Sequence, residues 1–225
     1  MMKKNIILAV MVLVAVMLLA PAAAFADDQE AVDWTDYHVP RGVRNTSMDV
    51  MSESSITPVD DEWMRVFYDG ENIGIEYFTN EFKLCKTGTL KLELPVWGGF
   101  FAGKDAYYIA EGQYNEEEDD AAEVIRIIKY DKDWNRLGAA KITGGTDSFS
   151  KVRYPFDCGG GSMTEVNGKL YLVTGHEGYV DERYGQGHQG FLMIEVDEQN
   201  MTGEIIDFDL WHSFSQRIAA DGTDL

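Results

Sequence analysis

Residues 154–210 read YPFDCGGGSMTEVNGKLYLVTGHEGYVDERYGQGHQGFLMIEVDEQNMTGEIIDFDL, and this stretch decides the fold. Asn167-Gly168 separates residues 162–166 from 169–174 (KLYLVT). Both residue types enter positive φ at little cost, which is what a two-residue hairpin turn demands. Residues 169–174 are rich in β-branched and aromatic side chains and suit a buried strand. The polar, glycine-rich stretch 175–190 reads as a loop, 191–196 (FLMIEV) as a third strand, 197–200 as a turn and 203–210 as a fourth strand. Four short strands joined by turns make one antiparallel unit.

The unit recurs. AYYI at 106–109 matches LYLV at 170–173, 64 residues on, and IIKYD at 127–131 matches MIEVD at 193–197, 66 residues on. IEYFT at 75–79 leads to Phe82 as IIKYD leads to Trp134, 52 residues later. RIAADG at 217–222 follows TEVNG at 164–168 with an offset of 54. Earlier strands are expected at 63–68, closed by Asp69-Gly70, and at 73–78 and 89–94. A repeat of this length with four strands per copy predicts an all-β chain of propeller blades. An antiparallel β-sandwich of look-alike strands is the alternative.

The resemblance is to kelch- and WD40-like blades across residues 61–225. Gly98-Gly99 and Gly159-Gly160 resemble the double glycine of kelch blades, while the Gly-His…Trp-Asp signature of WD40 blades is missing. No family's functional residues carry over from so general a likeness. Residues 61–225 hold about three units, whereas a closed propeller has four or more. The last matched strand stops where the next would begin, so the expectation is an incomplete propeller belonging to a longer protein.

Lys3-Lys4, an apolar run over 6–20 and the small-x-small site Ala24-Phe25-Ala26 predict a secretory signal peptide over 1–26. Residues 27–60 are polar and aperiodic and read as an irregular N-terminal segment. The expected location is extracellular or cell-wall associated, in what resembles a bacterial export product, with no stable membrane insertion after cleavage. Cleavage removes two lysines and no acid, moving the net charge from −20 to −22. So acidic a chain repels phosphate backbones, which argues against nucleic acid, and leaves calcium or another divalent metal as a conceivable partner. Cys85 and Cys158 lie in different repeats; a disulfide and two separate buried thiols both fit.

Propeller geometry sends the second-to-third strand loops and the inter-blade connections to one face. There the sequence places 113–123 (QYNEEEDDAAE), 175–190, 156–161 and 211–214. His176, His188 and Arg183 are the candidates for acid–base chemistry, with Arg183 neutralising a substrate carboxylate. His176, His188 and Asp181 are the candidate metal ligands, although His-x11-His is not a metal-binding spacing. Tyr179, Tyr184, Trp211 and His212 are candidate ligand-binding residues, three of them offering rings on which sugars stack. The acidic run 116–123 lacks the order of a calcium loop, and Gly159-Gly160-Gly161 lacks the lysine and helix of a phosphate loop. Two functions follow as expectations: a non-catalytic exported propeller binding a glycan, peptide or protein, and a propeller-fold polysaccharide lyase or hydrolase. The second requires His176, His188 and Arg183 to converge on one concave site.

Overall fold

The computed structural model describes residues 54–145, 150–183, 185–209, 212 and 216–222. Among the described residues, twelve strands form three four-stranded antiparallel sheets, each built from consecutive strands. The first holds β1 (Ser54–Val59), β2 (Glu62–Tyr68), β3 (Ile73–Phe78) and β4 (Leu84–Leu90). The second holds β5 (Val96–Ala102), β6 (Tyr107–Gly112), β7 (Glu123–Tyr130) and β8 (Arg136–Thr143). The third holds β9 (Tyr154–Val166), β10 (Lys169–Asp181), β11 (Gln186–Asp197) and β12 (Thr202–Asp209). Between sheets, β1 lies against β5 and β5 against β9, so the first strand of each sheet is the inner one. This is the blade arrangement expected from the repeats, and three sheets rather than two exclude the sandwich.

Several boundaries differ from the sequence reading. Pairing begins at Ser54 inside the segment read as irregular, because Ser54–Val59 finds a full register with β2. The fourth strand of the first sheet is Leu84–Leu90, not 89–94, since Phe78 pairs with Leu84 directly after the turn. Residues 216–222 run along β9 with a bridge only at Asp221. Ile218 N–H donates to Ser162 Oγ and Ala220 N–H to Thr164 Oγ1, both at 3.2 Å.

Two apolar layers hold the sheets together. Met64, Val66, Ile73, Ile75 and Tyr77 of the first sheet meet Tyr107, Ile109, Ile128, Tyr130 and Trp134 of the second. Tyr108, Ala110, Ile125, Ile127 and Ile142 meet Leu170, Leu172, Leu192, Ile194 and Val196 of the third. Side chains alternate across a strand, so β6 sends 107 and 109 one way and 108 and 110 the other. This corrects the repeat alignment by one residue. An offset of 64 sets Tyr108, which faces forward to the third sheet, against Leu172, which faces back to the second; Tyr107 is the true counterpart of Leu170. A one-residue slip exchanges the two faces of a strand. The offsets of 66 and 52 keep face with face.

Each turn between third and fourth strands places a bulky residue in the left-handed region: Phe82 (φ 57°), Trp134 (φ 64°) and Met201 (φ 51°). The preceding turn residues pin it. Asp131 Oδ1 accepts the N–H groups of Asp133 and Asn135 at 2.9 and 2.8 Å, and Asp197 Oδ1 those of Gln199 and Asn200 at 2.9 and 3.0 Å. The bulky side chain reaches back to the sheet before it. Trp134 Nε1 donates to Tyr77 Oη at 2.9 Å, and Met201 packs beside Gly138 of β8.

The inner strands approach through glycine. Gly99 has φ 137° and its Cα faces the Gly161 carbonyl, which a Cβ would meet at 3.0 Å; a Cβ on Gly98 would enter the Phe156 ring. Gly99→Ala therefore carries backbone strain and a close contact together, at a cost of about 2–3 kcal/mol. Urea unfolding measures this, and a loss below about 0.5 kcal/mol would show that β5 and β9 can separate freely.

Candidate functional site

The loop face gathers at the seam between the second and third sheets. On the third sheet the expected long loop 175–190 is mostly strand: β10 runs to Asp181 and β11 starts at Gln186, with Glu182, Arg183 and Gly185 in the turn between them. Asp181 makes that turn, its Oδ1 accepting the Arg183 N–H at 2.7 Å and its carbonyl the Gly185 N–H at 2.7 Å. The expected connection 156–161 likewise belongs to β9, and the true link from β8 is 144–153.

This extension disperses the histidine candidates. His176 is completely buried in β10, in register with Pro155 on one side and Gly190 on the other. A Cβ on Gly190 would come within 3.1 Å of His176 Cε1, so that glycine makes room for the imidazole. His188 is exposed on β11, opposite a bulge in which Gly178 and Tyr179 face it together. Arg183 is exposed at the hairpin tip, seven residues along from His176, or roughly 20 Å of extended strand. The structure thus puts the two histidines on adjacent strands, one buried and one exposed, and carries Arg183 away from His176. Asp181 is half-buried in its turn. Among the described residues, no three His, Cys, Asp or Glu side chains gather as a group that could hold a metal ion.

Tyr179 is drawn into a polar knot instead. Asn115, buried in the 113–122 loop, donates through Nδ2 to Tyr179 Oη at 3.0 Å, to Asp119 O at 3.0 Å and to Val152 O at 3.2 Å. Its Oδ1 accepts the Asp119 N–H at 3.0 Å. Lys151 lies 5.0 Å from the Tyr179 ring centroid and bonds Asp120 Oδ1 at 2.9 Å. Burial, with the Asp120 carboxylate alongside, pushes the Tyr179 hydroxyl up to about 12. Glu118 Oε1 accepts the Val180 N–H at 2.8 Å. Part of the acidic run therefore ties the second sheet to the third, and Tyr179 is committed to that tie.

Beside the knot stands an aromatic corner that the sequence reading missed. Tyr114 is 51% exposed and meets Tyr154 edge-on, with centroids 5.0 Å apart and planes at 86°. The Arg153 guanidinium carbon lies 5.1 Å from the Tyr154 centroid. Asn115 N–H donates to Arg153 O at 2.9 Å, fixing the two loops that carry these residues. A half-exposed phenol ring, a second ring at right angles and a guanidinium form a stacking and hydrogen-bonding surface. Nothing in the local sequence marks Tyr114; only the fold brings it to Tyr154.

His212 is exposed, while Tyr184 and Trp211 lie outside the described residues. Cys85 is a free thiol, donating to Tyr77 O at 3.2 Å and Glu62 Oε1 at 3.4 Å, with burial pushing its pKa up. Of Cys158 only the backbone, within β9, is described.

A second polar centre, also missed, lies on the same face between the first and second sheets. Glu111 is fully buried at the end of β6. It accepts the N–H groups of Glu93 and Leu94, both at 2.9 Å, from the link that joins the two sheets. Arg126 approaches Glu111 to 4.0 Å and bonds Glu93 at 2.8 Å and Glu123 at 2.6 Å.

No family model matches this chain, and no curated protein matches it. Among solved structures it is similar to an ACO/RPE65 chimera in a trigonal crystal form, with 12% identity and a TM-score of 0.44 over 70% of this chain. The monoclinic form of such a chimera gives 11% identity and a TM-score of 0.41 over 66%. The chain spans 38% and 34% of the lengths of those structures.

Proposed function

We propose that this chain is an exported, non-catalytic propeller that binds a glycan, peptide or protein through its loop face. The observation that supports the reading is the corner of Tyr114, Tyr154 and Arg153 at the mouth of the seam. A tyrosine half in solvent and held against a rigid neighbour loses little conformational freedom on binding, which favours it as an anchor. The export claim rests on residues 1–26. Acidic side chains crowd the same loop, Glu116 and Glu117 being exposed next to Tyr114, so neutral or cationic ligands are favoured over anionic ones.

Binding to an array of neutral, acidic and amino-sugar oligosaccharides and of peptides tests the proposal. Tyr114→Ala is expected to weaken any captured probe at least about tenfold, as anchor truncation does, while thermal unfolding stays within a few degrees. Capture unaffected by the substitution would move the binding surface away from this corner.

A further inference from the structure

Tyr154 begins a row of side chains that crosses the loop end of the third sheet. It is the cross-strand partner of Glu177 in β10, and Glu177 is that of Gln189 in β11, so the three side chains stand together on one face. Arg153 N–H donates to Glu177 O at 2.9 Å and fixes the register where β9 starts. The Glu177 carboxylate is half-buried and lies over the bare Cα of Gly187, where a Cβ would come within 2.7 Å of its Oε1. Among the described residues it has no hydrogen-bond or ion-pair partner. Gln189 Nε2 donates to Asp157 Oδ2 at 2.8 Å, which fixes the amide and leaves its oxygen as a second acceptor beside Glu177. At the other end of the row, Arg153 has its Nε buried 3.8 Å from Glu118 Oε1 and its side chain 24% exposed, so the fork still has donors to give.

We propose that Tyr154, Glu177 and Gln189, flanked by Tyr114 and Arg153, form a subsite for a neutral sugar. The inference rests on the proposed binding function and names its ligand class. A sugar hydroxyl both donates and accepts, so neighbouring hydroxyls give their protons to the Glu177 carboxylate and the Gln189 oxygen and take one from Arg153. The exposed Tyr114 ring, held edge-on by Tyr154, offers the apolar surface that the C–H side of a sugar ring covers. Charge selects against other ligands. Glu177, with Glu116 and Glu117 exposed beside Tyr114, repels uronic acids, and Arg153 repels the ammonium of an amino sugar. At Glu177 β10 is paired on both sides, so it has no edge to give to an extended peptide.

The test uses the full chain, with cello-, manno-, xylo- and galacto-oligosaccharides as neutral probes and oligogalacturonate and oligoglucosamine of matched length as charged ones. Calorimetric titration should show a neutral probe bound more tightly than either charged one. Glu177→Gln should weaken that probe about tenfold or more, since a carboxylate acceptor is lost, while the urea midpoint stays put because the side chain has no partner in the free chain. If Glu177→Gln does not fold, Gln189→Ala supplies the same comparison. Binding weakened by Tyr114→Ala but changed less than about twofold by Glu177→Gln would overturn the sugar subsite and leave the aromatic corner standing. A preference for the charged probes, or for peptides, would do the same. Binding of no probe at all, or binding indifferent to Tyr114→Ala, would overturn both.

Discussion

Trp134→Ala is expected to lower the unfolding free energy by about 3–5 kcal/mol, while Phe82→Ala, at the matching turn position, costs about 1 kcal/mol. Both residues take the same left-handed conformation in the same kind of turn. What differs is the cover. Trp134 is 1% exposed, packs 4.7 Å from the Tyr107 centroid and supplies the indole N–H that Tyr77 accepts. Its removal opens a cavity in the layer between the first two sheets and withdraws that donor from a buried hydroxyl. Phe82 is 44% exposed and, among the described residues, stacks on Trp63 with centroids 5.7 Å apart. Trp134→Gly separates the two contributions, because glycine adopts this φ without strain and should recover about 1 kcal/mol relative to alanine. Equal losses at Trp134 and Phe82, measured by urea unfolding, would mean that the turn, and not the contact between sheets, carries the stability.

Sequence pattern made the sheets legible because strands and turns are local. Asn167-Gly168 closes the β9–β10 hairpin with both residues at positive φ, as their chemistry requires. The near-continuous apolar run of β7 is readable as a strand because both of its faces are buried, one against each neighbouring sheet. Strand ends were harder. Gly175, Gly178, Gly185, Gly187 and Gly190 look like loop composition, yet all but Gly185 pair within β10 or β11 or sit in their bulge. There the missing side chains admit His176, Glu177 and the backbone of Asp209. Close packing between strands, which no local window reveals, is what those glycines serve. The same limit hid the site. His176 stands out by residue type but is walled in, whereas Tyr114 and Glu111 matter through partners 40 and 18 residues away.

Glu111 carries the largest pH effect expected of the carboxyl groups among the described residues. Burial pushes its carboxyl up to about 7; the N–H groups of Glu93 and Leu94 and the charge of Arg126 pull it down, and the Glu93 carboxylate pushes it further up. The folded chain therefore holds a proton that the unfolded chain releases near 4.5. Between those values the native state binds more protons, so stability falls as pH rises, by at most about 3 kcal/mol at roughly 1.4 kcal/mol per unit. Glu111→Gln does not titrate, but its amide nitrogen must face one of the two N–H donors, which costs about 1–3 kcal/mol at every pH. Wild type should accordingly be the more stable of the two at pH 5, and the gap should narrow or reverse by pH 8. Urea midpoints at pH 5, 6, 7 and 8 decide the matter. Parallel profiles would mean that Glu111 stays ionised throughout, held by its two backbone donors and Arg126 against the penalty of burial.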